Sequence, residues 1–162
     1  MSNYNHDLET GHVGLNVSDL PRSIGFYREA LSLELLHESY VPGREHAFLG
    51  REKKLIITLW QQSTGRFDTD RPGLHHLSFE VADMDQVRAA EHRLRALRVP
   101  MLYEGIVPHA EGTPSGGIFF ADPDGIRLEI YAAGGAEKHA SPTPGASWRS
   151  RSASCSARRC WS

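Results

Sequence analysis

Hydrophobic and polar residues alternate in the same order twice along the chain. The first stretch, residues 12–19, alternates with a period of two, which is typical of a strand with one buried face, and residues 76–83 repeat the pattern. In both stretches a histidine opens the strand and an aspartate follows it. This repetition predicts that the chain contains two copies of one structural module.

Each of these strands is followed by a stretch with helical periodicity. Asp19 and Asp83 precede the two stretches, where their carboxylates can accept hydrogen bonds from the first helical turn. Gln86, three residues after Asp83, completes a pattern that resembles a capping box. The hydrophobic positions of the two predicted helices are Leu20, Ile24, Tyr27 and Leu31 in the first, and Met84, Val87, Ala90, Leu94 and Leu97 in the second.

Three further strands are predicted after each helix. They cover residues 33–40, 45–49 and 54–61 in the first copy, and residues 101–107, 118–121 and 126–131 in the second. The turn at residues 122–125, Asp-Pro-Asp-Gly, is strong because proline presets φ and glycine accepts a positive φ. The expected fold class is α+β, with βαβββ modules at about 11–62 and 73–133 in one domain of residues 11–133.

The two ends of the chain and its charge limit the classes of function. Residues 1–10 are polar and predicted to be flexible, whereas residues 134–162 lack a hydrophobic period and are predicted to be a disordered tail. Both cysteines, Cys155 and Cys160, fall in that tail, so we expect a cytoplasmic protein without a framework disulfide. A net charge of −2 gives no reason to expect nucleic acid or an anionic membrane as a partner. No hydrophobic run approaches the roughly 20 residues of a membrane span.

Strand phase places two histidines and one glutamate on the same side of the predicted sheet. His12, His76 and Glu129 alternate with the hydrophobic residues that should pack on the helices, whereas His75 is out of phase and is predicted to be structural. Two imidazoles and a carboxylate suit Fe(II), Mn(II), Zn(II), Co(II) or Ni(II), and leave positions open for substrate, water or dioxygen. The alternative is that these histidines are structural, with their hydrogen bonds satisfied in the core or at the surface. The duplication of His12 and His76 at equivalent positions favours a metal site.

The same face carries further residues that could bind or transform a substrate. Trp60 and Ile56 would give a wall suited to an aromatic ligand, and Arg127 could bind a carboxylate or pair with Glu80. His109, in the glycine-rich loop of residues 108–117, could move protons. The predicted catalytic residues are His109 and Tyr131, with His46 as a further possibility, and the predicted substrate-binding residues are Asn16, Ile56, Trp60, Ser78 and Arg127.

Residues 10–133 resemble the vicinal-oxygen-chelate superfamily, which includes glyoxalase I, methylmalonyl-CoA epimerase, extradiol dioxygenases, fosfomycin-modifying enzymes and bleomycin-binding proteins. The resemblance rests on the two strands opened by histidine, and on residues 23–27, 72–79 and 122–131. It implies paired βαβββ modules that form a cupped mixed sheet around a divalent metal, with the helices on the outer face. His12, His76 and Glu129 match the His, His and Glu ligands of the family.

One departure from the family pattern bears on the activity. Aligning residues 57–60 on residues 128–131 puts Thr58 at the position of the fourth ligand in the glyoxalase and epimerase branches. Threonine is not a usual ligand for these metals, so a three-ligand site is expected, as in the dioxygenase and fosfomycin-modifying branches. The latter typically have a threonine two residues after the first histidine, where this chain has Gly14, and fosfomycin chemistry is therefore disfavoured.

The sequence therefore favours an Fe(II) extradiol-type dioxygenase that acts on a catechol-like small molecule. A glyoxalase-like lyase or isomerase with Zn(II), Ni(II) or Mn(II) is the first alternative. A resistance protein that binds a drug or natural product is the second. Because sites in the family often use four modules, we expect a homodimer, in which His12 joins His76 and Glu129 of the same chain or of a partner.

Overall fold

The computed structural model describes residues 9–139, which divide between Arg66 and Phe67 into two compact units. The first unit contains one helix and four strands: β1 (Val13–Asn16), α1 (Leu20–Leu31), β2 (Glu34–Ser39), β3 (His46–Arg51) and β4 (Lys54–Trp60). The second unit contains β5 (Leu77–Glu80), α2 (Met84–Ala96), β6 (Val107–Pro108), β7 (Gly116–Ala121) and β8 (Arg127–Ala132). The α+β class and the βαβββ order of both halves are thus confirmed.

The two units have the same sheet topology. Strand order is β1-β4-β3-β2 in the first sheet and β5-β8-β7-β6 in the second. In each sheet the first strand pairs in parallel with the last strand of the unit, and the remaining pairs are antiparallel. A parallel pair needs a crossover connection, which the helix of each unit begins.

Both helices begin at the aspartates that the sequence indicates. The carboxylate of Asp19 accepts a hydrogen bond from the backbone N–H of Arg22, and that of Asp83 accepts one from Gln86, each at 2.9 Å. These bonds satisfy N–H groups that have no partner within the helix. Hydrophobic residues of the strands and of the helix form a buried core in each unit. They include Leu15, Leu20, Tyr27, Ile57 and Leu59 in the first unit, and Val87, Leu94, Phe120, Leu128 and Ile130 in the second.

The strand predicted at residues 101–107 is mostly absent. Met101 forms an isolated bridge with Phe120, and only Val107–Pro108 pairs as a strand. Gly105 adopts a φ of +68°, a conformation that interrupts an extended chain. The segment therefore runs beside β7 without forming a continuous ladder of hydrogen bonds.

The packed part of the chain extends into the segment predicted to be a tail. Ala136 is fully buried, and its N–H donates a hydrogen bond of 2.8 Å to the carbonyl of Pro114. Residues 1–8 and 140–162, which include both cysteines, lie outside the described residues. Between residues 9 and 139, no helix has the length and apolar character needed to cross a membrane.

Candidate functional site

The carboxylate of Glu129 is buried in the second unit and has several polar partners. Only 3% of the residue is exposed. The Ser78 hydroxyl donates a hydrogen bond of 2.6 Å to Oε2, and His109 Nε2 lies 2.7 Å from Oε1. His76 Nε2 lies 3.3 Å from Oε2. Burying a carboxylate without such partners would cost several kcal/mol of folding free energy. The three partners therefore stabilise the charge of Glu129 in a specific polar site.

Strand register explains why these side chains meet. Strand β8 lies between β5 and β7, and Glu129 is paired with Ser78 on one side and Phe119 on the other. His76 immediately precedes β5, so its ring can approach the same carboxylate. The predicted neighbours Ser78, His76 and Glu129 are thus brought together by the parallel pairing that the repeat implies.

His109 reaches the site from the loop after β6. Its backbone N–H donates to the carbonyl of Ser115 at 3.0 Å, and its Nδ1 lies 2.7 Å from the Ser115 hydroxyl. A carboxylate only accepts, so the neutral ring carries its hydrogen on Nε2 toward Glu129, and Nδ1 accepts from Ser115. The sequence singled out His109 but not Ser115, whose contact depends on how the loop folds back.

The Tyr131 side chain contacts Glu80 and His109. Its phenol donates a hydrogen bond of 3.1 Å to Glu80, and its ring lies 5.3 Å from that of His109. Burial, the hydrogen bond to Glu80 and the negative charges of Glu80 and Glu129 raise the pKa of the Tyr131 phenol. The phenol therefore keeps its proton at neutral pH.

His75 lies against His76, although its strand phase had suggested a purely structural role. Its Nδ1 is 2.7 Å from His76 Nδ1, and its Nε2 is 3.2 Å from Arg127 Nη1. Burial, followed by the positive charges of Arg127 and His76, lowers the pKa of the His75 imidazole. The contact occurs in the segment that leads into β5, where strand alternation no longer predicts side-chain direction.

The first unit holds Thr58 at the position equivalent to Glu129. Gly14 pairs with Thr58 in the register in which Ser78 pairs with Glu129, as the alignment of the two copies predicted. Thr58 is 4% exposed, and its hydroxyl accepts a hydrogen bond of 3.1 Å from the Trp60 indole. A Cβ at Gly14 would lie 3.2 Å from that hydroxyl, a tight contact that favours glycine at this position.

A row of aromatic rings lies across the sheet of the first unit, and we call it the aromatic row. His46 stacks on Trp60 with ring centroids 4.9 Å apart, and it lies 5.1 Å from Phe48. His37 completes the row at 5.4 Å from Phe48. Trp60 and His46 are candidates that the sequence predicts, whereas Phe48 and His37 are not predicted from it. Cross-strand neighbours follow from strand register, which a single sequence does not reveal.

The remaining substrate-binding candidates of the first unit flank this row. Ile56 is half-buried on β4, and Asn16 is exposed at the end of β1, where it pairs with Trp60. His12 precedes β1 and is exposed.

The donor set can be compared with the needs of a divalent metal. Within residues 9–139, no group of three or more His, Cys, Asp or Glu side chains is arranged to hold a metal ion. The Glu129 oxygens accept hydrogen bonds from Ser78 and His109. Two ligands that are each about 2.1 Å from one metal stand roughly 3.0–3.4 Å apart, and the 3.3 Å between His76 Nε2 and Glu129 Oε2 fits that spacing. Nitrogen and carboxylate donors also suit Fe, Mn, Zn and Ni.

Comparison with protein families gives one match that covers most of the chain. The family model described as "Glyoxalase/Bleomycin resistance protein/Dioxygenase superfamily" matches residues 10–130. A solved structure, a glyoxylase/bleomycin resistance protein/dioxygenase domain from Frankia sp. EAN1pec, superposes with a TM-score of 0.65 at 28% identity, covering 77% of this chain and 97% of that one.

Two curated relatives carry names that state an activity. Catechol-2,3-dioxygenase of Bacillus subtilis (strain 168) is 24% identical over 135 residues, which cover 82% of this chain and 44% of that protein. The probable chloroplastic lactoylglutathione lyase of Arabidopsis thaliana is 27% identical over 143 residues, which cover 82% of this chain and 36% of that protein. This chain therefore spans less than half of the length of each.

Proposed function

Because this chain belongs to the Glyoxalase/Bleomycin resistance protein/Dioxygenase superfamily, we propose that it is a metal-dependent enzyme, and specifically an Fe(II) extradiol-type dioxygenase acting on a catechol-like small molecule. Members of the superfamily bind divalent metals such as Fe, Mn, Zn or Ni. His76 and Glu129 of the second unit and His12 of the first would hold the ion.

The observation that carries the proposal is the buried Glu129 carboxylate with His76 at 3.3 Å and His109 at 2.7 Å. A carboxylate is seldom buried in a protein without a strong reason, and two imidazoles beside it form a chemically specific group. Bound Fe(II) would supply the open coordination positions for a catechol and dioxygen, and the catechol itself would be the reductant. His109 Nε2 would hold a proton next to the metal-binding carboxylate, and Ser115 would fix the ring through Nδ1.

Thr58 favours the dioxygenase over a four-ligand lyase. Its hydroxyl is buried and accepts a hydrogen bond from the Trp60 indole. The first unit therefore offers no carboxylate at the position equivalent to Glu129. A metal held by three protein ligands keeps more positions open, and a substrate with two adjacent oxygens together with dioxygen needs three of them.

The aromatic row supports an aromatic substrate. Trp60, His46 and Phe48 present ring faces and edges spaced about as stacked aromatic pairs are, at centroid distances of 4.9 and 5.1 Å. The His46 Nδ1 lies 2.7 Å from the carbonyl of Arg44, so in the neutral ring Nδ1 carries the hydrogen and Nε2 is the acceptor. An acceptor beside an aromatic surface suits a substrate hydroxyl.

Oxygen consumption by the reconstituted protein tests the proposal. The full chain is loaded anaerobically with Fe(II), mixed with a panel of catechols in air-saturated buffer, and followed with an oxygen electrode and by absorbance of the yellow ring-opened product. We expect uptake of one dioxygen per catechol. Glu129→Gln should abolish it by removing a charged ligand, whereas Glu104→Gln, a change at an exposed residue of the same unit, should not.

The alternatives give different outcomes in the same experiment. A lyase or isomerase, which the lactoylglutathione lyase relative supports, would turn over its substrate without oxygen and with Zn(II), Ni(II) or Mn(II). A drug-binding protein would bind its ligand equally well after chelation. If neither binding nor turnover responds to any of these metals, the enzyme proposal is wrong.

We also propose that the protein acts as a homodimer in the cytoplasm. Sedimentation of the purified chain tests the oligomeric state. If His12 is contributed by a partner chain, mixing inactive His12→Ala and Glu129→Gln proteins should restore part of the activity, because a hybrid dimer contains one intact site.

A further inference from the structure

The loop between β6 and β7 holds the backbone of His109 on both sides of its side chain. The N–H of His109 donates a hydrogen bond of 3.0 Å to the carbonyl of Ser115, and the N–H of Ala110 donates one of 3.1 Å to the Thr113 hydroxyl. Because peptide groups are planar, only the two backbone dihedrals of His109 separate these N–H groups. Fixing both groups therefore fixes the direction in which the His109 side chain leaves the loop.

The Thr113 hydroxyl contacts both polar backbone groups of Ala110. Besides accepting from the Ala110 N–H, it donates its own hydrogen to the Ala110 carbonyl at 2.8 Å, and the Ser115 carbonyl at 3.3 Å is the more distant acceptor. A hydroxyl can accept and donate at once because it has one hydrogen and two lone pairs. The Thr113 N–H also donates to the Ala110 carbonyl, at 3.1 Å. Thr113 thus closes the turn that directly follows His109.

The other end of the loop is anchored independently of Thr113. The Ala136 N–H, from the segment after β8, donates a hydrogen bond of 2.8 Å to the carbonyl of Pro114. A Cβ at Gly116 would lie 2.7 Å from the Cβ of Ala136, so the two segments are in close contact. Loss of the Thr113 hydroxyl should therefore loosen the His109 end of the loop and leave the end near Gly116 in place.

The His109 ring lies between a buried carboxylate and solvent. Its side chain is 36% exposed, whereas that of Glu129 is 4% exposed. Its two nitrogens contact Glu129 and Ser115, each at 2.7 Å. A ring in this position can exchange a proton with a bound molecule only while the loop keeps it beside Glu129.

We propose that Thr113 is a positioning residue that holds His109 against Glu129 for proton transfer. The inference rests on the proposed dioxygenase for its effect on turnover, whereas the contacts of Thr113 are made by the chain itself. Proton transfer by a positioned side chain typically contributes about 100- to 10,000-fold to the rate. A misplacement of about 1 Å can cost on the order of 100-fold.

The test compares substitutions that differ in one hydroxyl. Thr113→Val replaces the hydroxyl by a methyl group of similar size, and Thr113→Ser keeps the hydroxyl. Thr113→Ala removes the hydroxyl without adding a methyl group and repeats the test with a smaller side chain. Thr69→Val is the matched control, because Thr69 is an exposed residue of the same unit. Circular dichroism verifies that each full-length variant is folded.

The first measurement is the NMR spectrum of the His109 ring in chelator-treated protein. The ¹⁵N shifts report the tautomer, and the nuclear Overhauser contact with the Tyr131 ring, whose centroid lies 5.3 Å away, reports the ring position. We expect the wild type, Thr113→Ser and Thr69→Val to keep the Nε2–H tautomer and the contact. Thr113→Val and Thr113→Ala should show both tautomers and a weaker contact.

The second measurement is steady-state oxygen uptake by the Fe(II)-loaded proteins with a catechol. Thr113→Val should lower kcat about 10- to 100-fold with little change in KM, whereas Thr113→Ser should stay close to the wild type. In a His109→Ala background, Thr113→Val should cause no further loss of kcat, because the group that Thr113 positions is already gone.

The positioning role and the proposed function fail in different ways. The role of Thr113 is wrong if Thr113→Val leaves the His109 tautomer and the Tyr131 contact unchanged, or if it lowers kcat equally with and without His109. If the wild type takes up no oxygen with any catechol, the dioxygenase proposal is wrong. The spectra of the chelator-treated proteins then still decide whether Thr113 positions His109.

Discussion

The hydrogen bond from Ser78 to Glu129 should be worth more than an ordinary one, because its acceptor is a buried carboxylate. The hydroxyl lies 2.6 Å from Oε2, within the range of charge-assisted O–H···O⁻ bonds. Bonds to charged groups contribute about 1.5–3 kcal/mol, and neutral bonds about 0.5–1.5 kcal/mol. Ser78→Ala should therefore lower the free energy of unfolding by about 1.5–3 kcal/mol.

A double-mutant cycle separates the charge from the contact. In a Glu129→Gln background the hydroxyl meets a neutral amide, and Ser78→Ala should then cost only about 0.5–1.5 kcal/mol. The expected coupling between the two positions is about 1 kcal/mol. The measurement is urea unfolding at 25 °C, followed by far-UV circular dichroism with a chelator present, so that bound metal does not contribute to stability.

Ser78→Thr is the matched control for this cycle. It keeps the hydroxyl, and threonine is well tolerated in strands, so its stability should stay close to that of the wild type. The reasoning is refuted if Ser78→Ala costs the same in both backgrounds, because the carboxylate charge would then add nothing to the bond. It is equally refuted if the cost in the wild type falls below about 0.5 kcal/mol.

Three further predictions concern stability and are checked by urea or thermal unfolding. The buried Ser23 hydroxyl has no hydrogen-bond partner among the described residues, so Ser23→Ala should stabilise by about 1 kcal/mol, and a loss would contradict this. Glu52 and Lys53 adopt φ values of 50° and 65° in the β3–β4 turn, a conformation that favours asparagine and glycine. The double substitution Glu52→Asn and Lys53→Gly should therefore stabilise the protein by about 1–2 kcal/mol. An unchanged unfolding midpoint would show that the turn is not strained. Gly117→Ala would press a Cβ against a backbone carbonyl of β8 and should cost at least about 2 kcal/mol. Gly25→Ala, in an open position of α1, should instead stabilise by about 1 kcal/mol, and similar results at both glycines would refute the steric account.

Periodicity was sufficient to predict the elements whose hydrophobic faces repeat. Both helices begin at the aspartates that precede them in the sequence, and the alignment that placed Thr58 opposite Glu129 is confirmed by the pairing of Gly14 with Thr58 and of Ser78 with Glu129. Such features are local, or they follow from duplication, so one sequence contains the information for them.

Features that depend on a single backbone angle or on neighbours across the sheet could not be predicted. The hydrophobic residues before Val107 read as a strand, but a positive φ at Gly105 interrupts it. His37 approaches Phe48 through an antiparallel register that shifts at a bulge in β2. Ala136 is buried, but a single buried alanine creates no hydrophobic periodicity, so the sequence does not distinguish its segment from a polar tail.

The first and last strands pair in the same register in both copies, but the side chains at equivalent positions differ in chemistry. Where the second unit has a buried carboxylate, the first has a buried threonine whose hydroxyl binds an indole. A buried carboxylate requires several donors around it, whereas an aromatic surface requires that polar groups be kept away from its faces. One small sheet can hardly satisfy both requirements at the same strand positions. Duplication removes the conflict, because the second copy can specialise in holding the Glu129 charge while the first keeps the aromatic row.

On this account, placing a carboxylate in the first unit by Thr58→Glu should destabilise the protein by several kcal/mol, since among the described residues the donor observed at that position is the Trp60 indole. Urea unfolding would reveal the cost. A Thr58→Glu protein as stable as the wild type would show that the first unit can accommodate a carboxylate and that the division between the copies is not imposed by burial.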